Sequence, residues 1–214
     1  MFKKLLSGIM AVAVCVVGLS GCGESPPEEV EMPDVVFVMY QYYPIEKEYS
    51  TGNFIGTSGC YIDKNGKIRR FEFEDEQNIT GILENKNISM KNYFKTRNLD
   101  AFYEKVIENS YETEYSPIPK EDLLNCYKLL LKVDMESELN YQDPHVTAIL
   151  GLYCIYGIRI NEKNEMEYMM IHEFGDAFYE SNNKYSNKLY KQINELIAKN
   201  KLYQTWLYDE KIYN

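Results

Sequence analysis

"AILGLYCIYGIRINEKNEMEYMMIHEF", residues 148–174, decides the fold. Ala148 to Ile160 is rich in β-branched and aromatic residues and alternates as a buried strand does. Asn161 to Glu165 has the composition of a turn, and Met166 to Phe174 returns as a second strand. The stretch therefore reads as a hairpin, and a hairpin pairs its strands antiparallel. Parallel neighbours would need a crossover of roughly a dozen residues or more between them.

A second hairpin lies upstream in "GCYIDKNGKIRRFEFE", residues 59–74. Asp63 favours turn initiation and Gly66 supplies a residue for positive φ between two strand-like runs. A calcium loop would need oxygen ligands at regular offsets and a late bidentate acid, but Lys64, Lys67 and Ile68 occupy those places. Gly59 and Gly157 each open a strand into a turn, a likeness too slight to establish a repeat. Ahead of both, "VVFVMYQYY" (Val35 to Tyr43) is apolar or aromatic on both alternations, as a central strand is, and Pro44 is expected to close it.

Helices fill the intervals. Leu99 to Tyr111 places Phe102, Tyr103, Val106 and Ile107 at helical spacing, with Asp100 in the first turn. In "SPIPKEDLLNCYKLLLKVDMES", Pro119 suits the first helical position. Glu121 and Asp122 favour the amino-terminal end, and Leu123, Leu124, Tyr127, Leu130 and Leu131 make an apolar stripe with Cys126 near its edge. Asp143-Pro144 marks a loop. After a turn at Gly175-Asp176, Asn183 to Lys199 shows one apolar face through Leu189, Ile193, Leu196 and Ile197. The fold class expected is α+β, an antiparallel sheet built from hairpins with helices packed on one face. The helix from Pro119 is the natural cover for that sheet, with Leu130 and Leu152 as core anchors.

The amino terminus has a separate logic. Lys3 and Lys4 precede an apolar run, Leu5 to Leu19, that is short of the roughly 20 residues a membrane span needs and has the proportions of a secretory signal. The residues Leu19-Ser20-Gly21-Cys22 resemble the lipobox of bacterial lipoproteins. That resemblance covers residues 1–22 and implies cleavage before Cys22, lipid on its thiol and a place on the extracytoplasmic face of the cell membrane. Small Ser20 and Gly21 suit the peptidase, and the Cys22 sulfur is the nucleophile that carries a thioether-linked diacylglycerol. Each buried methylene contributes about 0.8 kcal/mol, so two or more acyl chains anchor where one holds only marginally. Residues 22–33, with GESPPEEVEMP at 23–33, are acidic, Pro-rich and without apolar periodicity, as an extended tether is. Residues 34–214 are expected to form a single domain, and in general form the chain resembles small uncharacterised lipoproteins of Gram-positive bacteria.

Composition narrows the partners. Removing residues 1–21 takes away Lys3 and Lys4 and no acid, so 21 basic residues face 33 acidic ones, a net charge of 21 − 33 = −12. Such a domain repels phosphate backbones and anionic head groups, so nucleic acid is not an expected partner and the lipid on Cys22 provides the membrane attachment. With Cys15 in the signal and Cys22 lipidated, Cys60, Cys126 and Cys154 remain, an odd number that allows one disulfide without requiring it.

No catalytic, cofactor or metal constellation is expected. "MMIHEFGD" gathers His172, Glu173 and Asp176, but a zincin would need a second His where Asp176 stands, and strand alternation sends His172 and Glu173 to opposite faces. With His145 as the other histidine, no Ser/His/Asp or Cys/His set emerges. Twenty tyrosines are the strongest bias in composition. Tyr40, Tyr42 and Tyr43, or the Tyr203 to Tyr213 region, are candidates for a surface that stacks on a glycan or a protein partner, although tyrosine is also a good strand former. Two functions follow: a non-enzymatic binding or envelope-associated lipoprotein, and alternatively an exported hydrolase acting on cell-wall or polysaccharide material, whose carboxylate pair would leave no spacing signature.

Overall fold

The computed structural model describes residues 30–45, 54–75, 86–95, 99–142, 152–175 and 178–200. The chain divides into two units, Met1–Val30 and Glu31–Asn214, and every element below belongs to the second. In order these are β1 (Val35–Ile45), β2 (Phe54–Asp63), β3 (Ile68–Asp75), β4 (Ile88–Ser89), α1 (Met90–Lys95), α2 (Leu99–Glu108), β5 (Ser110–Glu112), α3 (Lys120–Leu130), β6 (Glu138–Gln142), β7 (Leu152–Ile160), β8 (Met166–Gly175), β9 (Phe178–Ser181) and α4 (Lys184–Lys199).

Six strands form one antiparallel sheet in the order β5-β3-β2-β1-β7-β8, and three form a second in the order β4-β6-β9. β1 is central, as its apolar residues on both alternations require. It pairs with β2 from Val35↔Asp63 to Ile45↔Phe54, and with β7 from Phe37↔Gly157 to Tyr42↔Leu152. Each expected hairpin flanks it, so both contribute to one sheet. Pro44 does not close the strand. It lies beyond the last pair with β7, where a residue without an N–H is tolerated, and the ladder with β2 runs on to Ile45.

The two hairpin turns share one geometry. Asp63 Oδ1 accepts from the N–H groups of Asn65 and Lys67, and Asn161 Oδ1 accepts in the same way from Lys163 and Glu165. The left-handed residue is Gly66 (φ 79°) in the first turn and Asn164 (φ 62°) in the second, the two residue types that tolerate it best. Asp63 is thus engaged as a turn former.

The sheet is covered on both faces. Successive residues of β7 point opposite ways: Tyr156 meets Phe94 of α1, while the position of a Gly157 side chain is filled by Leu130 of α3. The expectation of helices on one face holds for α3 and α4, and α1 and α2 cover the other, where Phe102 packs on Tyr40 and Phe73. A β-carbon at Gly157 would lie 2.4 Å from Leu130 Cδ1, so this glycine is what lets α3 sit down on the sheet. Arg159 then fixes the end of that helix, donating to the carbonyls of Leu131 and Val133 while pairing with Glu167.

Local chemistry moves several boundaries. α2 stops at Glu108 rather than Tyr111, because the Asn109 amide and the Ser110 hydroxyl take the carbonyls of Lys105 and Ile107. Ser110 to Glu112 then joins β3 as an edge strand. Pro119 is the cap residue before α3, with ψ 136°, and the helix begins at Lys120. Between Gly175 and the last helix the chain makes β9, and α4 follows with Asn183 capping the N–H groups of Tyr185 and Ser186. Packing begins one residue ahead of the expected Asp34: Pro33 is buried, and Asp34 holds Lys64 through both its carbonyl and its carboxylate. Leu152 is only part-buried, and Ile155 is the strand's anchor towards α3 and α4. Residues 148–151 lie outside the described residues.

The Gly157 contact gives a coupled prediction. Leu130→Ala should cost about 2–5 kcal/mol, and Gly157→Ala about 1–3 kcal/mol through overpacking. The double variant should lose at least about 1 kcal/mol less than their sum, because the added methyl enters the space the leucine vacates. Urea denaturation of the four proteins measures this, and strict additivity would show that the two side chains do not meet.

Candidate functional site

The tempting run at residues 169–176 is rearranged by a bulge. Ile155 pairs with His172 but Tyr156 pairs with Met170, leaving Ile171 as an extra residue on β8. Counting by twos from Tyr168 would put His172 on the α1/α2 face. The bulge reverses this, so Glu173 faces α1 and His172 faces α4.

Glu173 is 1% exposed and sits at the meeting point of four elements. Its Oε1 accepts from the hydroxyls of Tyr93 on α1 and Tyr156 on β7, the latter at 2.8 Å, and from the Cys154 thiol at 3.9 Å. Its Oε2 accepts from the backbone N–H of Tyr179 on β9 at 3.1 Å. The two phenol oxygens are themselves 2.8 Å apart. A buried carboxyl is tolerable only when its oxygens are hydrogen-bonded, and here donors reach both of them. Edge-to-face rings enclose the group: Tyr93 against Phe94 and Tyr179, and Tyr156 against Phe94 and Tyr40.

The chemistry of this arrangement is fastening. One carboxyl joins the large sheet, through β7 and β8, to α1 and to β9 of the small sheet. A substrate would have to displace α1 or β9 to reach it.

His172 lies between Tyr153 and Tyr190, stacked on the latter with ring centroids 3.9 Å apart and planes at 19°. Burial there lowers its pKa from the usual 6.5 to about 4. The tyrosines singled out in the sequence are core residues where described: Tyr40 and Tyr42 are buried and their hydroxyls face each other at 3.4 Å. Cys60, Cys126 and Cys154 are buried thiols that form no disulfide. Burial pushes the thiols of Cys60 and Cys126 up to about 12, which makes them poor nucleophiles. Among the described residues no group of three or more His, Cys, Asp or Glu side chains is placed to hold a metal ion. Cys22, Tyr203 to Tyr213, His145 and Asp176 lie outside the described residues, as does the side chain of Tyr43.

An open cleft of about 550 Å³ lies at the β7–β8 turn, lined by Leu131, Arg159, Asn161, Lys163 and Glu167 among others. Arg159 is already committed there to Glu167 and to two carbonyls, so it offers an anion little. Comparisons with protein-family models, with curated proteins and with solved structures give no match.

The residues that sequence reasoning missed are Tyr93 and Tyr179, which come from elements it did not anticipate. The one available signal was an acid at position 173 within the run Tyr168 to Phe174, which is otherwise apolar or aromatic but for His172. Tyr156→Phe removes a donor from Glu173 and should cost about 1–3 kcal/mol in thermal or urea unfolding, whereas Tyr111→Phe, at the exposed edge, should stay within about 0.5 kcal/mol.

His172 adds a pH dependence whose sign follows from its lowered pKa. Above pH 6.5 neither the folded nor the unfolded chain protonates it. Between 6.5 and about 4 the unfolded chain takes up a proton that the folded chain refuses, so stability falls as pH falls. The urea midpoint should drop more from pH 7 to pH 5 in the parent than in His172→Gln, and equal drops would refute the assignment.

Proposed function

We propose that this chain is a lipid-anchored extracytoplasmic protein whose folded part binds a partner rather than turning over a substrate. The observation that carries the reading is the arrangement of Lys3, Lys4, the apolar run Leu5 to Leu19, and Ser20-Gly21 directly before Cys22. Charge, apolar length, small residues at the cleavage point and a cysteine immediately after it all agree. The acidic, Pro-rich stretch that follows would give such an anchor reach, since the ten residues 23–32, if fully extended, span up to about 36 Å.

The folded part is consistent with the binding half of this reading. The buried groups of the folded part, Glu173 and the cysteines, are engaged in packing and hydrogen bonding rather than facing solvent.

Growth with labelled palmitate tests the anchor. The parent protein should take up label and sediment with membranes. Cys22→Ala should lose the label and either leave the membrane fraction or persist as a longer precursor. Label retained by the alanine variant would defeat the proposal.

A further inference from the structure

The outer surface of the α3/α4 layer carries a charge opposite to that of the chain. Residues 123–133, most of α3 and its end, contain no acid, and neither do residues 184–194 of α4. Between them they hold five lysines, Lys128, Lys132, Lys184, Lys188 and Lys191, all exposed. The acids of the two helices, Glu121, Asp122 and Glu195, lie towards the other end of the layer, where Asp122 pairs with Lys199 at 3.7 Å. The chain as a whole has a net charge of −10.

Helical geometry brings the five together. The buried face of α4, from Ser186 to Ile197, leaves Lys184, Lys188 and Lys191 on the side away from the sheet. The two helices run antiparallel: the start of α3 meets the end of α4 through Asp122 and Lys199, and its middle meets Gln192 through Cys126. At its end Lys132 lies over the ring of Tyr185 at 5.9 Å, with Lys184 over the same ring at 5.0 Å. Among the described residues no acid pairs with any of the five. Lys128 with Lys132, and Lys184 with Lys188, are like charges one helical turn apart, a spacing that costs stability until a negative surface is laid against it.

We propose that this face docks on an anionic lipid bilayer. It rests on the reading of the chain as lipid-anchored and adds the orientation in which the folded part meets the membrane. Position favours a bilayer over a soluble polyanion. Arg159 ties the end of α3 to β7 two residues beyond Gly157, the partner of Phe37, so this end of the layer lies beside the start of β1, where the chain enters the sheet. An anchor at Cys22 keeps the bilayer within reach of that end and so at high effective concentration. Side-chain chemistry agrees. Lysine ammonium groups are compact point charges on flexible stems and suit a diffuse negative surface, whereas bidentate recognition of a single phosphate or carboxylate favours arginine. Leu131, exposed beside Lys132, supplies an apolar side chain for the headgroup boundary. The net negative charge opposes contact at long range, but screening confines that repulsion to about 8 Å at physiological ionic strength, so the lysines nearest the lipid decide.

Light acetylation of amines on the anchored full chain, read residue by residue by mass spectrometry, tests the proposal in phosphatidylcholine vesicles with and without about one-third phosphatidylglycerol. A lysine near an anionic surface contributes roughly a fivefold factor to binding. In anionic vesicles at low salt the five lysines should therefore react at least about fivefold more slowly than in neutral ones. Lys95, exposed on α1 across the sheet, should keep its rate. Raising the salt to about 1 M, where the screening length is about 3 Å, should restore reactivity. Lys128→Glu with Lys188→Glu should abolish protection of the other three, and Lys128→Arg with Lys188→Arg should preserve it, with circular dichroism confirming that both variants are folded. Five results overturn the proposal: equal rates in the two vesicles; slowing shared by Lys95; protection that survives the charge reversal; five lysines already unreactive in neutral vesicles, which would mean that another part of the chain covers them; and equal protection by soluble polyphosphate added to neutral vesicles, which would make a free polyanion the ligand. Flotation with neutral vesicles and palmitate labelling report the anchor separately, so a failed anchor and a failed docking face are distinguishable.

Discussion

The structure depends on the two-sided burial of β1. Every residue from Val35 to Tyr40 is buried, and a strand that is apolar on both alternations is stable only with both faces and both edges covered. That requirement brings a hairpin to each edge, β2–β3 and β7–β8, and a pair of helices to each face. The chain between the hairpins supplies α1, α2 and α3, two of them for one face and one for the other, and α4 arrives last to complete the second face. Gly157 matters within this frame because two layers packed on a twisted sheet leave little tolerance at the crossing point. Removing one side chain from β7 is what admits Leu130.

The polar network at Glu173 solves a different problem. Hydrophobic contact among so many tyrosines and phenylalanines is permissive, because aromatic rings pack acceptably in several arrangements. A buried carboxyl with donors arriving from α1, β7 and β9 is far less forgiving, since any shifted arrangement strands at least one oxygen. The small sheet and α1 are thereby set in one position against the large sheet, and the stability at stake is a loss on misalignment more than a gain on formation.

What the sequence made legible was whatever local chemistry decides. Both hairpins, their turns at Asp63 and Asn161, the helix over Leu123 to Leu130 and the last helix with its apolar face from Leu189 to Ile197 all follow from residues within one turn or one strand of each other. The parts it hid depend on residues far apart. β5, β6 and β9 are three to five residues long and have no periodicity to show; they exist because a partner strand is already in place. The Ile171 bulge is a tertiary choice that swaps the faces of His172 and Glu173, and no alternation count recovers it. Tyr40 and Tyr42 were candidates for a surface as well as for a strand core because tyrosine is ambiguous: its ring goes inside when its hydroxyl finds a partner, as the two hydroxyls do at 3.4 Å.

The clasp between Asp34 and Lys64 sits at the point where the chain enters the sheet. Any pull on the residues before Val35 is delivered along the axis of a strand hydrogen-bonded on both sides, to β2 and to β7. The load acts in shear: rupture means breaking two ladders together rather than peeling one bond at a time. A strand at the rim of the sheet would unzip under the same load. The topology therefore gives this end of the molecule high mechanical resistance that is separate from its thermodynamic stability.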